Sequence, residues 1–256
     1  ADTDPAWSSG GDWIYFLSGR SGTSQVWRIA PRGGEAVQVT DLPLDVGTFR
    51  LSPGNDHLVV SMRVYPDCED LQCTVEKDSE HATRKDSAKM YDRLFMRHWD
   101  RWLDSKISRL FALPAKEGLP FDGEPLLLTG SVDAEVPART WGGREEYTVS
   151  PDGKSLFFTA RVRSANEAWS TNYDIWSVPM TGGDAINLTV SNPAWDTQPV
   201  VSPDGALLAW MAMSRPGFEA DRYRIMVRDL DSGETRELAP DWDRSPSSIA
   251  FSGDGR

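Results

Sequence analysis

Ser150-Pro151-Asp152-Gly153 spells a turn, and the same four residues return as Ser202-Pro203-Asp204-Gly205. Proline presets φ at one corner, aspartate bonds its own backbone and glycine accepts a positive φ, so each copy predicts a tight hairpin. Looser versions stand at Ser8-Ser9-Gly10-Gly11, Ser52-Pro53-Gly54-Asn55 and Ser252-Gly253-Asp254-Gly255. The turn serines at 8, 52, 150, 202 and 252 are spaced 44, 98, 52 and 50 residues apart, and the longest gap reads as one unit carrying an extra segment of about 45 residues.

The residues after each turn repeat as well. Residues 13–17, 57–62, 154–160 and 206–211 are short runs rich in β-branched and aromatic side chains, with a partner strand expected before each turn. A second register confirms the period, because residues 27–40 (WRIAPRGGEAVQVT) and 176–189 (WSVPMTGGDAINLT) match with identical spacing from Trp through Gly-Gly to Thr. Units of this size, each with four short strands (A to D) separated by turn signals, are the blades of a β-propeller and make the chain all-β. The expected blades cover about 4–43, 48–129, 146–189 and 198–238, and 249–256 begins a further one. The chain opens and closes inside a repeat, so it reads as a partial propeller, a piece of a longer protein.

Composition bounds the function. The 256 residues carry 39% hydrophobic and 26% charged side chains, which suits an ordinary globular core. The net charge of −12 argues against nucleic acid, whose binding needs clustered Lys and Arg, and favours cationic partners such as a peptide ammonium group. No apolar run is long enough to span a membrane. Eleven Trp are expected mostly between blades. Cys68 and Cys73 are the only cysteines; a disulfide between them would mark an exported protein, two thiols a cytosolic one, and no His or second Cys pair completes a metal site. The sequon Asn187-Leu188-Thr189 falls inside the repeated strand register and is read as structure.

The segment 64–104 is an insertion between the B and C strands of the second unit. It starts with the cysteine loop and a charged stretch with little core-forming power. In its second half Tyr91, Leu94, Phe95, His98 and Trp102 recur at helical spacing, with Asp92, Arg93, Arg97, Asp100 and Arg101 mainly elsewhere around the axis, which predicts an amphipathic helix. In an up-and-down blade the B to C and D to A connections share one face. The B to C loops are long here (the insertion, 163–173 and 214–222), so function is expected on that face, where Glu145 and Glu146 at the head of an innermost A strand also open.

No nucleophile elbow, phosphate loop, dinucleotide fingerprint or zincin helix occurs. His57, His81 and His98 are isolated from one another, so a catalytic triad is not expected in these residues and no cofactor is called for.

The S-P-D-G turns, the run DIWSVP and the Gly-Gly to Thr strands resemble the propeller of the prolyl oligopeptidase family of serine peptidases, and also TolB-type propellers. Tyr91 and Asp92, the run Arg97-His98-Trp99-Asp100, the strand ending in Leu110 and Phe111, and the lead-in Glu145-Glu146-Tyr147 are similar to its dipeptidyl-peptidase V branch, close to the acylaminoacyl peptidases. The resemblance implies about four blades of a seven- or eight-bladed propeller capping an α/β-hydrolase domain that holds the Ser, Asp and His triad outside this chain. It implies peptide substrates, release of dipeptides or acylated residues, a periplasmic or secreted location, and a homodimer as an open alternative. It also implies carboxylates on the propeller side that hold the substrate ammonium; the candidates are Glu145, Glu146 and Asp100, with Arg97 orienting a carboxylate or a substrate carbonyl. Glu145 and Glu146 alternate along a strand in this reading, so one of them faces the channel. The alternative is a non-enzymatic TolB-like propeller that binds protein partners in the cell envelope.

Overall fold

The structure, a computed structural model, describes residues 1–54, 56–91, 94, 96–98, 100–114, 120–139 and 142–255. Asn55, Asp92, Arg93, Phe95, Trp99 and Arg256, which entered the sequence-based expectations, lie outside the described residues.

Four antiparallel four-stranded sheets succeed one another along the chain. The first is β1 (Asp2–Trp7), β2 (Ile14–Ser18), β3 (Gln25–Ile29) and β4 (Val37–Gln38). The second begins with β5 (Val46–Leu51) and β6 (His57–Val64), is interrupted by α1 (Leu71–Thr83), β7 (Arg97–His98) and β8 (Arg101–Trp102), and resumes with β9 (Ile107–Pro114) and β10 (Leu126–Leu127). The third is β11 (Tyr147–Val149), β12 (Ser155–Ala160), β13 (Asp174–Pro179) and β14 (Ile186–Asn187). The fourth is β15 (Asp196–Val201), β16 (Leu207–Ala212), β17 (Arg224–Asp229) and β18 (Thr235–Leu238). Ile249 to Phe251 pairs with no described strand, while the turn after it forms, with Gly255 N donating to Ser252 O at 2.9 Å.

The turn serine bonds in two directions. Ser150 and Ser202 each donate to the turn aspartate, at 2.6 and 2.5 Å, and each accepts the first amide of the next strand, from Ser155 and Leu207, at 2.9 Å. Gly153 and Gly205 then sit at φ of 72° and 76°, where a side chain would be strained. A second clip closes the first three sheets at their outer ends: Thr40, Thr129 and Thr189 accept from the amides of Val26, Leu110 and Ile175 at 3.0, 3.1 and 2.9 Å. This is the physical cause of the recurrent spacing between Trp and Thr. Thr189 is buried by that role, and Asn187 beside it takes the Thr189 amide at 3.0 Å, so the sequon is part of the ladder.

The core lies in three seams between sheets. Tyr15, Leu17 and Val26 of the first sheet pack on Leu58, Val60 and Phe111 of the second. Val59, Leu110 and Ala112 on its reverse side pack on Leu156, Phe158 and Val178 of the third. Phe157 and Ile175 pack in turn on Leu208 and Trp210 of the fourth. Period-two alternation thus serves both faces of the second and third sheets, which is why their central strands read as continuous apolar runs.

The first strands converge. The Thr48 and Tyr147 hydroxyls join β5 to β11 at 2.9 Å, Arg50 Nε donates to Arg144 O at 2.6 Å, and Arg144 Nη1 reaches Pro5 O in β1 at 3.1 Å.

The insertion departs from expectation. Where a helix was predicted, the described residues Arg97–His98 and Arg101–Trp102 form the hairpin of β7 and β8, with His98 in β7. Arg97 pairs with Trp102 across it, the guanidinium lies 5.6 Å from the indole, Leu103 N donates to Met96 O at 3.0 Å, and Tyr91 Oη donates to Leu103 O at 2.9 Å. Cross-strand pairing of a cation with an aromatic ring competes with the helical ladder and wins here. Leu94, Met96 and Trp102 are exposed rather than laid on the sheet.

The helix forms instead in the charged stretch. Asp70 caps α1 by accepting from Cys73 N at 2.7 Å, and a disulfide joins Cys68 to Cys73 across its start. The face that anchors α1 is polar and therefore silent to a search for apolar periodicity: Thr74 accepts from Tyr65 N, Asp78 takes the Tyr65 hydroxyl and Lys106, and His81 Nδ1 lies 3.0 Å from Tyr65 Oη. No helix among the described residues is long and apolar enough to cross a membrane.

Candidate functional site

Arg144–Glu146 is a single 3-10 turn that delivers the chain into β11. Glu145 and Glu146 therefore do not alternate along a strand; the turn separates them. Glu145 is exposed, and its Oε1 accepts from Gly143 N at 2.9 Å. Glu146 is 6% exposed, and its Oε2 accepts from Ala138 N at 2.7 Å. Gly142 N donates to Ala138 O at 2.8 Å, and a Cβ at Gly142 would collide with both the Glu146 carboxyl and that carbonyl, so the loop closes over Glu146 only with glycine there.

Burial dominates the chemistry of Glu146. Its carboxyl is pushed up from 4.5 to about 8, with Glu145 adding to the shift and the Ala138 amide opposing it. At neutral pH it therefore holds a proton, and a cation arriving beside it would favour the ionised form.

The surroundings come from the long loops. Tyr173 and Tyr223, at the far ends of the B to C connections of the third and fourth sheets, are pushed up to about 12, chiefly by burial and partly by the Glu146 charge. Tyr173 is stacked on Trp195 at 4.8 Å, and the Arg161 guanidinium lies 4.7 Å from its ring. Arg161 is held by Ser170 O at 2.8 Å and by Glu167 at 3.4 Å. Burial raises Glu167 too, with Arg161 working against the shift. Gly217 N donates to Thr171 Oγ1 at 2.9 Å and ties the two loops together. The result is a carboxyl pair, one exposed and one buried, within electrostatic reach of Tyr173 and Tyr223 from the long loops.

Sequence reasoning reached Glu145, Glu146 and the loops, but not Arg161, Tyr173, Trp195, Glu167 or Tyr223. These come from three separate connections, and no spacing links them. Arg97 and Asp100 sit on the hairpin of the insertion, and among the described residues no hydrogen bond or ion pair joins them to Glu145 or Glu146. Among the described residues no group of His, Cys, Asp and Glu is arranged to hold a metal ion.

Comparison with known proteins finds relatives along nearly the whole chain, although no family model matches it. Its homologues carry the name dipeptidyl-peptidase 5: that of Porphyromonas gingivalis is 27% identical over 262 residues, which cover 98% of this chain and 36% of that protein. The chain thus spans about a third of the length of this curated relative. Among solved structures, the acylaminoacyl peptidase of Pyrococcus horikoshii matches with a TM-score of 0.62 and 13% identity, over 95% of this chain and 33% of that one. TolB from Acinetobacter baumannii matches with a TM-score of 0.53 and 16% identity, over 100% of this chain and 47% of that one. At such identities the two structures speak to the fold alone, and the fold they share is a propeller.

Proposed function

We propose that residues 1–256 are the first part of a propeller that caps the α/β-hydrolase domain of an exported serine exopeptidase, and that the turn Arg144–Glu146 holds the ammonium group of the peptide substrate. The four sheets are successive blades about one axis, with β1, β5, β11 and β15 innermost, in blades of about 4–43, 48–129 with insertion 64–104, 146–189 and 198–238, and with 249–256 starting another. Homology to dipeptidyl-peptidase 5 along nearly the whole chain supports the peptidase reading, and the Cys68–Cys73 bond suits an oxidising compartment.

The observation that carries the site is the adjacent pair of carboxyls, Glu145 exposed and Glu146 buried. An enzyme that removes dipeptides must fix the distance from ammonium to scissile carbonyl, and a charge-assisted bond in a partly dry pocket does so. Glu145 offers the exposed carboxyl to the arriving ammonium. Glu146 supplies a proton to be released when the ammonium arrives, and Tyr173 and Tyr223 exclude water around it. We assign Asp100 and Arg97 to the outer rim of the same entrance, where Asp100 is exposed.

The test is kcat/KM of the full-length enzyme for Glu145→Gln and Glu146→Gln, on one peptide with a free N-terminus and on its acylated form. Loss of a charge-assisted bond predicts a drop of about 10-fold to 150-fold on the free peptide and almost none on the acylated one. Equal losses on both would refute the assignment.

A further inference from the structure

The connection from the third sheet to the fourth breaks a pattern that the two earlier connections share. In the first sheet Val46 N donates to Ser24 O, and the next residue, Gln25, donates its Nε2 to Leu42 O and Leu44 O at 3.1 and 3.2 Å. In the second Val136 N donates to Ser108 O, and the next residue, Arg109, donates its Nη1 to Thr129 O at 2.6 Å and to Val132 O. Leu42 and Val132 each stand four residues before the donating amide. In the third sheet Asp196 N donates to Tyr173 O, so Asn192 and Ala194 take the places of Leu42 and Leu44, and the donor's place falls to Asp174. An ionised carboxyl has nothing to donate. Oxygens face one another there instead: Asn172 Oδ1 lies 2.9, 3.3 and 3.1 Å from the carbonyl oxygens of Asn192, Pro193 and Ala194, while its Nδ2 donates to Asp174 Oδ2 at 3.4 Å. Asp196 is fully buried; its Oδ1 accepts from Trp210 Nε1 and Asn192 Nδ2 at 2.7 and 3.1 Å, whereas its Oδ2 has no hydrogen-bond partner.

We propose that this connection holds a hard divalent cation of the Ca²⁺ kind on Asn172 Oδ1 and the carbonyl oxygens of Asn192, Pro193 and Ala194, with the carboxyls of Asp174 and Asp196 supplying the countercharge. Neighbouring ligands of a six- or seven-coordinate ion at about 2.3 Å stand about 2.7 to 3.3 Å apart. The three spacings around Asn172 Oδ1 fall in that range, where oxygens without an ion between them repel. Only two of the groups are carboxyls and the rest are amide and carbonyl oxygens, a set that suits calcium rather than zinc or copper. Asn172 and Asn192 are half-buried and Pro193 is exposed, so water can complete the shell. Turning the Asn172 amide over would give the carbonyls a donor, but it would set an oxygen against Asp174 Oδ2 and leave Asp196 Oδ2 as it is. The cation thus gathers, in the third sheet, the carbonyls that the Gln25 amide and the Arg109 guanidinium gather in the first two. Asn172 and Asp174 flank Tyr173, and Ala194 and Asp196 flank Trp195, so the ion also ties together the two stacked rings. The site stands whether or not the chain caps a peptidase.

The experiment is thermal unfolding of the full-length protein, stripped with EDTA and then melted in CaCl₂ or in KCl of equal ionic strength. Taking a Kd of about 0.1 to 1 mM, as in extracellular calcium modules, about 10 mM Ca²⁺ should raise Tm by roughly 3 to 10 °C. Asn172→Ala removes the side-chain ligand, and Asp196→Asn removes charge while keeping an acceptor for Trp210 Nε1; each should lose at least half of the rise. No rise in the unaltered protein overturns the proposal and leaves the carbonyls to the Asn172 amide hydrogens, with a proton on a carboxyl. A rise that both variants keep in full overturns it as well, because the ion then sits elsewhere in the protein. If neither variant folds, Tb³⁺ replaces Ca²⁺ and its luminescence is excited through tryptophan. Trp195→Phe should then dim the emission by at least half, and emission that does not dim refutes the placement.

Discussion

Replacing Glu146 by Gln should make the protein more stable and less active. The carboxyl is raised from 4.5 to about 8 in the fold. A group whose folded value lies above its unfolded one favours the fold fully below the unfolded value, and that favour is lost as pH rises through the folded value, here across the window from about 4.5 to about 8. At pH 7 the native protein has forfeited about 2.5 units of that range, at about 1.4 kcal/mol each, or about 3 kcal/mol. Glutamine is always neutral, and its amide oxygen can still accept from Ala138 N. The variant should therefore melt higher at pH 7 by roughly 6 to 12 °C, using about 2–4 °C per kcal/mol for a domain of this size, and the gap should close toward pH 4.5. The assay is thermal unfolding of both proteins, full-length, from pH 4.5 to 9 at constant ionic strength. Parallel curves would refute the argument, because they would mean that Glu146 is charged in the fold at neutral pH and that another cation already compensates it. Stability gained with activity lost on free peptides would be the trade expected of a buried carboxyl kept for binding.

Fluorophosphonate labelling of the full-length enzyme, with digestion afterwards, should mark no serine within residues 1–256, since no nucleophile elbow occurs there; a labelled serine in this stretch would overturn the assignment of the triad to another domain. Ser202→Ala should cost about 1–3 kcal/mol in denaturant unfolding, because Ser202 is fully buried and its loss leaves the Leu207 amide without its partner.

The repeat, the sheets and their order were legible because each turn is a local event. Ser, Asp and Gly make their bonds within five residues, so S-P-D-G carries its geometry wherever it stands. The Trp to Thr register was equally readable, since Thr189 reaches back only to the neighbouring strand at Ile175. The insertion was not. Apolar spacing at residues 91–102 predicted a helix where a hairpin forms, and the true helix hid behind polar anchors, Thr74, Asp78 and His81, that matter only because Tyr65 and Lys106 stand opposite them.

The candidate site divides the same way. That Glu145 and Glu146 stand together at the entry to a strand is a property of the chain itself. Which of them is dry was decided by Gly142 and Ala138 folding over one carboxyl, and its neighbours Tyr173 and Tyr223 come from loops dozens of residues away. Local hydrogen bonding is written in adjacent residues, so the sequence by itself determined the turns, the strands and the repeat. Burial is set by whatever arrives from elsewhere in the chain, so the raised pKa of Glu146 and the two tyrosines that feel its charge were decided by the tertiary structure alone.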